Sequence, residues 1–304
     1  MNETLAFKIR FSLIPSGRYE EAVQTGITLL NFACMNLQDT RCLLDFSVSQ
    51  GILESGLFRV RYLAAEEGIT TNQLAQLSNS LNSLVSPQEA FSNALKGELL
   101  FMSIALDKAK DGTLLPAAIL SFNSNCVPNS KRFWIPAYYL HHNRTKKWIA
   151  EQCRTRIPNI AIPYAELTNY FYHAHSAEPC FSRLRPNILG HAIVDTYKWG
   201  TDQGFKSKFK LEAQIAATRL VVACHLYRLK EGKFPHTLQE LVPAYLPEVP
   251  VDPYDGNTFR YKPEKNIVYS VGEDLIDSDG AGDVLNSSGY PIKRAKDLVY
   301  SLAP

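Results

Sequence analysis

Apolar positions recur at helical spacing through the first two thirds of the chain. From Tyr19 to about Asn36, Ala22, Val23, Ile27, Leu29, Leu30, Phe32 and Ala33 make an apolar ribbon, and Leu43 to about Ala65 repeats it. Such spacing predicts helices that bury one face. Gly68 stops the second helix, and Thr70-Thr71-Asn72-Gln73-Leu74 restarts the chain in an N-cap context. Ser86-Pro87-Gln88-Glu89 is a further start, with serine at the cap, proline at the first helical position and an acid in the first turn. Its helix carries Ala90, Phe91, Ala94, Leu95, Leu99, Leu100, Met102 and Leu106 to about Lys110. No strand pattern interrupts this part, which reads as a helical bundle.

The period changes near the C-terminal end. A helix is predicted from about Leu211 to Glu231, with Ala213, Ile215, Ala217, Leu220, Val221, Ala223, Cys224 and Tyr227 buried and Lys208, Lys210, Arg219, Arg228 and Lys230 largely on wet faces. Gly232 and then Phe234-Pro235 end it. A short helix follows over His236 to Val242, where Thr237 and Glu240 have capping-box spacing and Pro243 is the stop. After the turn residues Pro250 to Asn257, the runs Thr258–Tyr261 and Asn266–Val271 flank Lys262-Pro263-Glu264-Lys265 as a hairpin.

That hairpin runs into Glu273-Asp274-Leu275-Ile276-Asp277-Ser278-Asp279-Gly280-Ala281-Gly282-Asp283, a loop with four aspartates and two glycines. Carboxylates this close repel one another, and a hard cation such as Ca²⁺ takes six to eight oxygens at about 2.3–2.6 Å from flexible, glycine-bent backbone. Calcium is the leading reading, and a solvated acidic turn is the alternative.

The order of motifs is also familiar. Leu226–Pro235 has the form Y-x-x-x-x-G-x-F-P, Tyr245–Tyr254 the form Y-L-x-x-x-P-x-D-P-Y, and Tyr269–Asp274 the form Y-S-x-G-x-D. Over about the last hundred residues the chain resembles the globular part of the major pseudopilin of type II secretion systems. The resemblance implies a long helix, a short helix, a small antiparallel sheet and a calcium loop. It places Asp274 and Asp283 at the family's aspartates, with Asp277, Ser278 and Asp279 between them and the Val271 or Val284 carbonyl as a further donor. One departure is Leu275-Ile276, where the family has glycine straight after the first aspartate.

Upstream, Leu43-Leu44-Asp45-Phe46, Ser47-Val48-Ser49-Gln50 and Glu89-Ala90-Phe91 through Gly97-Glu98 resemble the front half of a group of proteins common in planctomycetes and verrucomicrobia. Those proteins carry a pseudopilin-like tail ending in a strand like Asp297-Leu298-Val299-Tyr300. A pseudopilin begins with a basic leader and an apolar helix of about twenty residues. Met1–Arg10 is mixed, and no run approaches eighteen uncharged apolar residues. The expectation is that either the protein is no pilus subunit or a membrane helix lies upstream of this sequence.

Composition adds little direction. With 304 residues, 45% hydrophobic and 20% charged, the chain can bury a core and has too few charges for disorder. A net charge of +2 steers it toward no acidic partner. The expected fold is α+β in two parts: a mainly helical 1–204, and a pseudopilin-like 205–304 that begins where Trp199–Gly204 breaks the helical pattern. Six scattered cysteines lack zinc spacing. Cys34, Cys42 and Cys224 are read as small core residues, and Cys126, Cys153 and Cys180 as the disulfide candidates of an exported protein.

Three patterns suggest other chemistry. His173, His175, Glu178 and Cys180 offer metal-ligating side chains, more often met by chance in an aromatic loop. Cys224 and His225 are adjacent on a helix, about 100° apart, a poor nucleophile and base geometry. His141-His142 is read as wet surface. Lys131 to Arg156 interleaves cations with Trp134, Tyr138, Tyr139 and Trp148, a pattern that fits anionic lipid ahead of a nucleic-acid backbone, or more simply a helix with an aromatic core face and a basic solvent face. The expected function is a non-enzymatic protein of the bacterial cell envelope, periplasmic or membrane-associated, ordered by calcium and acting through protein contacts, with no nucleic-acid partner. The alternatives are a metal-dependent enzyme in the helical half and a membrane-surface binder.

Overall fold

In the computed structural model the described residues are 8–110, 140–174, 186–281, 284–285, 291–293 and 297–303. The fold is α+β, helical through its N-terminal part with a small antiparallel sheet at its C-terminal end.

Four helices follow the predicted pattern closely: α1 (Tyr19–Gln38), α2 (Leu43–Ala65), α3 (Thr71–Asn82) and α4 (Pro87–Lys110). The starts are set by local chemistry. In α3 the Thr70 hydroxyl accepts from the Gln73 N–H while the Gln73 side chain takes the Thr70 N–H, a full capping box. In α2 the cap comes from another helix, because the Glu98 carboxylate accepts the Leu43 N–H at 3.1 Å. Helices α5 (His142–Arg156) and α6 (Tyr164–Ala174) then lead to α7 (Ile188–Glu231), a helix of 44 residues.

Helix α7 runs through the expected boundary. Residues 200–204 are helical, so the division at 204/205 coincides with no break in the chain. Gly204 serves packing, since a Cβ there would lie 2.6 Å from Phe91 Cε2. Helices α2, α3, α4 and α5 and the sheet all pack on α7, and Phe205, Leu220 and Val221 share one core with Leu57, Leu77, Val268 and Tyr300. The expected wet faces are covered only in part, since Lys230 is exposed and the Lys210 side chain is 44% exposed. Lys208 is 1% exposed, with Nζ 2.7 Å from the Ile160 carbonyl and 2.9 Å from Glu212, and Arg219 donates to the Leu81 carbonyl at 3.0 Å. Cys224 is buried as expected, whereas Cys34 and Cys42 are only half-buried. Cys153 is a buried free thiol, 3.7 Å from the Leu95 carbonyl. Cys126 and Cys180 lie outside the described residues.

Gly232, at φ 76°, ends α7, with its N–H on the Arg228 carbonyl. The capping box of Thr237 and Glu240 opens one 3-10 turn, Leu238–Leu241, in place of an α-helix. Strand β1 (Arg260–Lys262) and β2 (Ile267–Ser270) form the hairpin. A short pair, β3 (Val284–Leu285) and β4 (Pro291–Lys293), follows before β5 (Leu298–Ser301) closes on β2, giving the order β1-β2-β5.

Candidate functional site

The register of the sheet decides what faces the acidic loop. Side chains alternate across a strand. Tyr261, Val268 and Tyr300 are paired neighbours in the register and share the face whose Val268 and Tyr300 join the α7 core. Arg260, Lys262, Ile267, Tyr269 and Val299 therefore share the other face. The chain leaves β2 through a 3-10 turn at Gly272–Asp274, reverses at Leu275 with φ 58°, and returns across that outer face. Gly280 lies against it: φ is 64°, and a Cβ would lie 2.5 Å from Ile267 Cδ1. Only glycine meets both conditions.

Each described acid of the loop has partners. Asp277 Oδ1 accepts from the Tyr269 hydroxyl at 3.1 Å and the Asp279 N–H at 2.9 Å, while Oδ2 is 3.6 Å from Arg260 Nε. Asp279 is paired with Lys262 and Lys265, and Lys265 Nζ also donates to the Asp279 main-chain carbonyl at 2.9 Å. Those two lysines hold the Asp279 carboxyl below the usual carboxylate range. Asp274 Oδ1 accepts the Ile276 N–H at 3.3 Å. Asp297, just before β5, takes the N–H groups of Ser278 and Gly280, each at 3.1 Å from Oδ2. Burial pushes Asp297 up, against the pull of those two donors.

A second carboxylate organises the turn below. Asp252 is fully buried and accepts from the Tyr254 N–H, the Ser270 hydroxyl and the Val271 N–H at 3.0, 2.9 and 3.1 Å. Burial raises its pKa against those bonds. Arg260 lies 3.3 Å from Asp252 and forms a two-pronged pair with Asp255.

Of the five residues expected to hold calcium, Asp274, Asp277, Ser278 and Asp279 are placed, and Asp283 lies outside the described residues. Among the described residues no three His, Cys, Asp or Glu side chains form a metal-holding group. The N–H groups of Ser278 and Gly280 point at the Asp297 carboxylate. In this arrangement the described carboxylates of the loop are taken up by Arg260, Lys262, Lys265, the Tyr269 hydroxyl and main-chain N–H groups. Arg260, Lys262, Lys265, Asp252 and Asp297 did not stand out as site residues in the sequence. The available signal was the alternation Arg260-Tyr261-Lys262 beside an acidic loop.

The other candidate chemistry is dispersed. His173 falls in the last turn of α6, while His175, Glu178 and Cys180 lie outside the described residues. His225 and Cys224 are both fully buried. His141 is exposed and His142 half-buried at the start of α5. The basic stretch divides: Lys131 to Tyr139 lies outside the described residues, Arg144 stacks on Trp148 at 4.8 Å, and Lys146 pairs with Asp107. Arg156, expected on a wet face, is 1% exposed and paired with the equally buried Asp202 at 2.9 Å. A groove between α4 and α5 is lined by Lys96, Leu99, Leu100, Lys146 and Ile149. No described helix is long and apolar enough to cross a membrane.

Comparison with protein-family models, with curated proteins and with solved structures returned no match in any of the three.

Proposed function

We propose that this chain is a non-enzymatic protein of the bacterial cell envelope that acts through protein contacts, with a pseudopilin-like C-terminal part in a secretion-related assembly. The observation that supports this reading is the order and packing of the C-terminal elements. A long helix, a 3-10 turn, a hairpin, an acidic loop and a final strand follow one another, and the sheet packs on the helix. The helical body packs on that same helix, with Arg61 donating to the Thr218 hydroxyl and Arg219 to the Leu81 carbonyl.

The test has two arms. The tagged full-length protein, expressed in its native bacterium, is fractionated into cytoplasm, periplasm and membranes, and the purified protein is titrated against purified pseudopilins of the same bacterium. Envelope recovery with saturable pseudopilin binding is the expected result. A purely cytoplasmic protein, or one that binds no pseudopilin, overturns the reading. Stoichiometric zinc in the purified protein would favour a metal enzyme instead.

A further inference from the structure

We propose that the acidic loop is closed by the chain's own cations and ordered without calcium, with Arg260, Lys262 and Lys265 in the role that the pseudopilin resemblance gives to Ca²⁺. Strand alternation puts every second side chain on one face. Arg260 and Lys262 are two residues apart on β1 and project from the face the loop crosses, while Lys265 stands in the hairpin turn. Three cations thus meet Asp277 and Asp279 from beneath. Lys265 Nζ contacts both the carboxylate and the main-chain carbonyl of Asp279, two oxygens that a bound cation would take together.

A calcium loop turns carbonyl oxygens inward. Here the Ser278 and Gly280 N–H groups turn inward onto Asp297, and the Asp279 N–H onto Asp277. Successive N–H groups around a left-handed turn make an anion-binding concavity. Asp279 and Gly280, at φ 62° and 64°, supply that turn, and the anion is the chain's own Asp297. The loop is therefore built around an internal carboxylate and neutralised at its rim by side chains. Rim pairs of this kind are screened by salt, with a Debye length of about 10 Å at 0.1 M.

Amide hydrogen exchange at Ser278, Asp279 and Gly280 tests the proposal on the full-length protein, in millimolar calcium and in chelator, for the wild type and for Lys262→Gln/Lys265→Gln. The expected result is identical protection with and without calcium in the wild type, and exchange about three- to tenfold faster in the double variant, the range for two exposed ion pairs. Protection in the wild type should also fall as salt rises. Calcium-dependent protection of the wild type overturns the proposal, as does a double variant that exchanges like the wild type. These readings are made on the isolated protein, so they stand or fall apart from pseudopilin binding.

Discussion

Tyr254 stands edge-on to Tyr164, with ring centroids 5.2 Å apart, and the main chain continues the contact. The Tyr164 N–H donates to the Pro253 carbonyl at 3.1 Å and the Ala165 N–H to the Tyr254 carbonyl at 2.8 Å. The first turn of α6 has orphan N–H groups that need acceptors. A loop from the C-terminal end of the chain supplies them. Phe209 of α7 closes the aromatic group, 5.4 Å from Tyr164. The helical body and the sheet thus complete each other.

Truncating that contact should weaken the whole fold. Tyr254 is 1% exposed, and removing a buried aromatic side chain costs about 3–5 kcal/mol. Tyr254→Ala is expected to lower the urea midpoint and leave a single transition, read alike by far-ultraviolet circular dichroism and tryptophan fluorescence. Two separated transitions would show that the sheet and the helical body unfold independently.

The buried pair of Arg156 and Asp202 should show the asymmetry of charges removed from water. Arg156 also donates to Gln152 at 2.6 Å and to the Tyr170 hydroxyl at 3.3 Å. Arg156→Met removes one half of a buried ion pair, a change that costs about 3–5 kcal/mol. The double variant Arg156→Met/Asp202→Leu is expected to recover much of that loss. Chemical denaturation of the three proteins checks it, and a double variant as weak as the single one would contradict the argument.

His225 should make stability pH-dependent below neutrality. Its side chain is fully buried, edge-on to Phe234 at 5.4 Å, and neither ring nitrogen has a well-aligned protein hydrogen bond. Burial, with Arg228 adding to it against a small opposing effect of the Leu302 backbone, lowers the pKa from 6.5 to about 4. Between these values the unfolded chain binds the proton and the folded chain does not. Stability from this group is therefore complete above pH 6.5 and is lost as pH falls toward 4, by about 3 kcal/mol. His225→Leu should flatten that slope in melting curves recorded from pH 7 to 4. An unchanged slope would assign it to other groups.

Gly97 should tolerate no side chain. A Cβ there would lie 1.6 Å from the Arg41 carbonyl oxygen, where α4 crosses the turn between α1 and α2. The obstacle is backbone, so the helix itself must move, and the neighbouring Glu98 would be drawn off the Leu43 N–H it caps. Overpacking of this kind costs about 1–3 kcal/mol or more. Gly97→Ala is expected to lower the thermal midpoint by several degrees, with Lys96→Ala on the same helix as the comparison of small effect.

Element boundaries were legible in the sequence wherever a local signal set them. Thr70 with Gln73, Pro87 after Ser86, and Gly232 before Phe234-Pro235 each mark an end that hydrogen bonding within a few residues can enforce. The hairpin was legible for the same reason, as two β-branched and aromatic runs joined by a turn. The aspartates of the acidic loop were legible as a group, since they are neighbours in the chain.

Long-range partners were not legible, because burial and charge pairing are decided by what another segment brings. Gly200 and Gly204 read as a helix break, yet glycine lowers helix propensity by only about 1 kcal/mol. Close packing against Phe91 and Leu43 outweighs that cost and carries α7 through to Glu231. Arg156 and Lys208 read as solvent-facing cations until Asp202 and Glu212 are seen beside them in the core. The sequence by itself determined the helices, their caps and the hairpin, through interactions spanning a few residues. Only the tertiary structure decided that α7 is enclosed on most sides, that Glu98 caps a helix 55 residues away, and that Asp297, Arg260, Lys262 and Lys265 surround the acidic loop, because those contacts depend on segments the fold alone brings together.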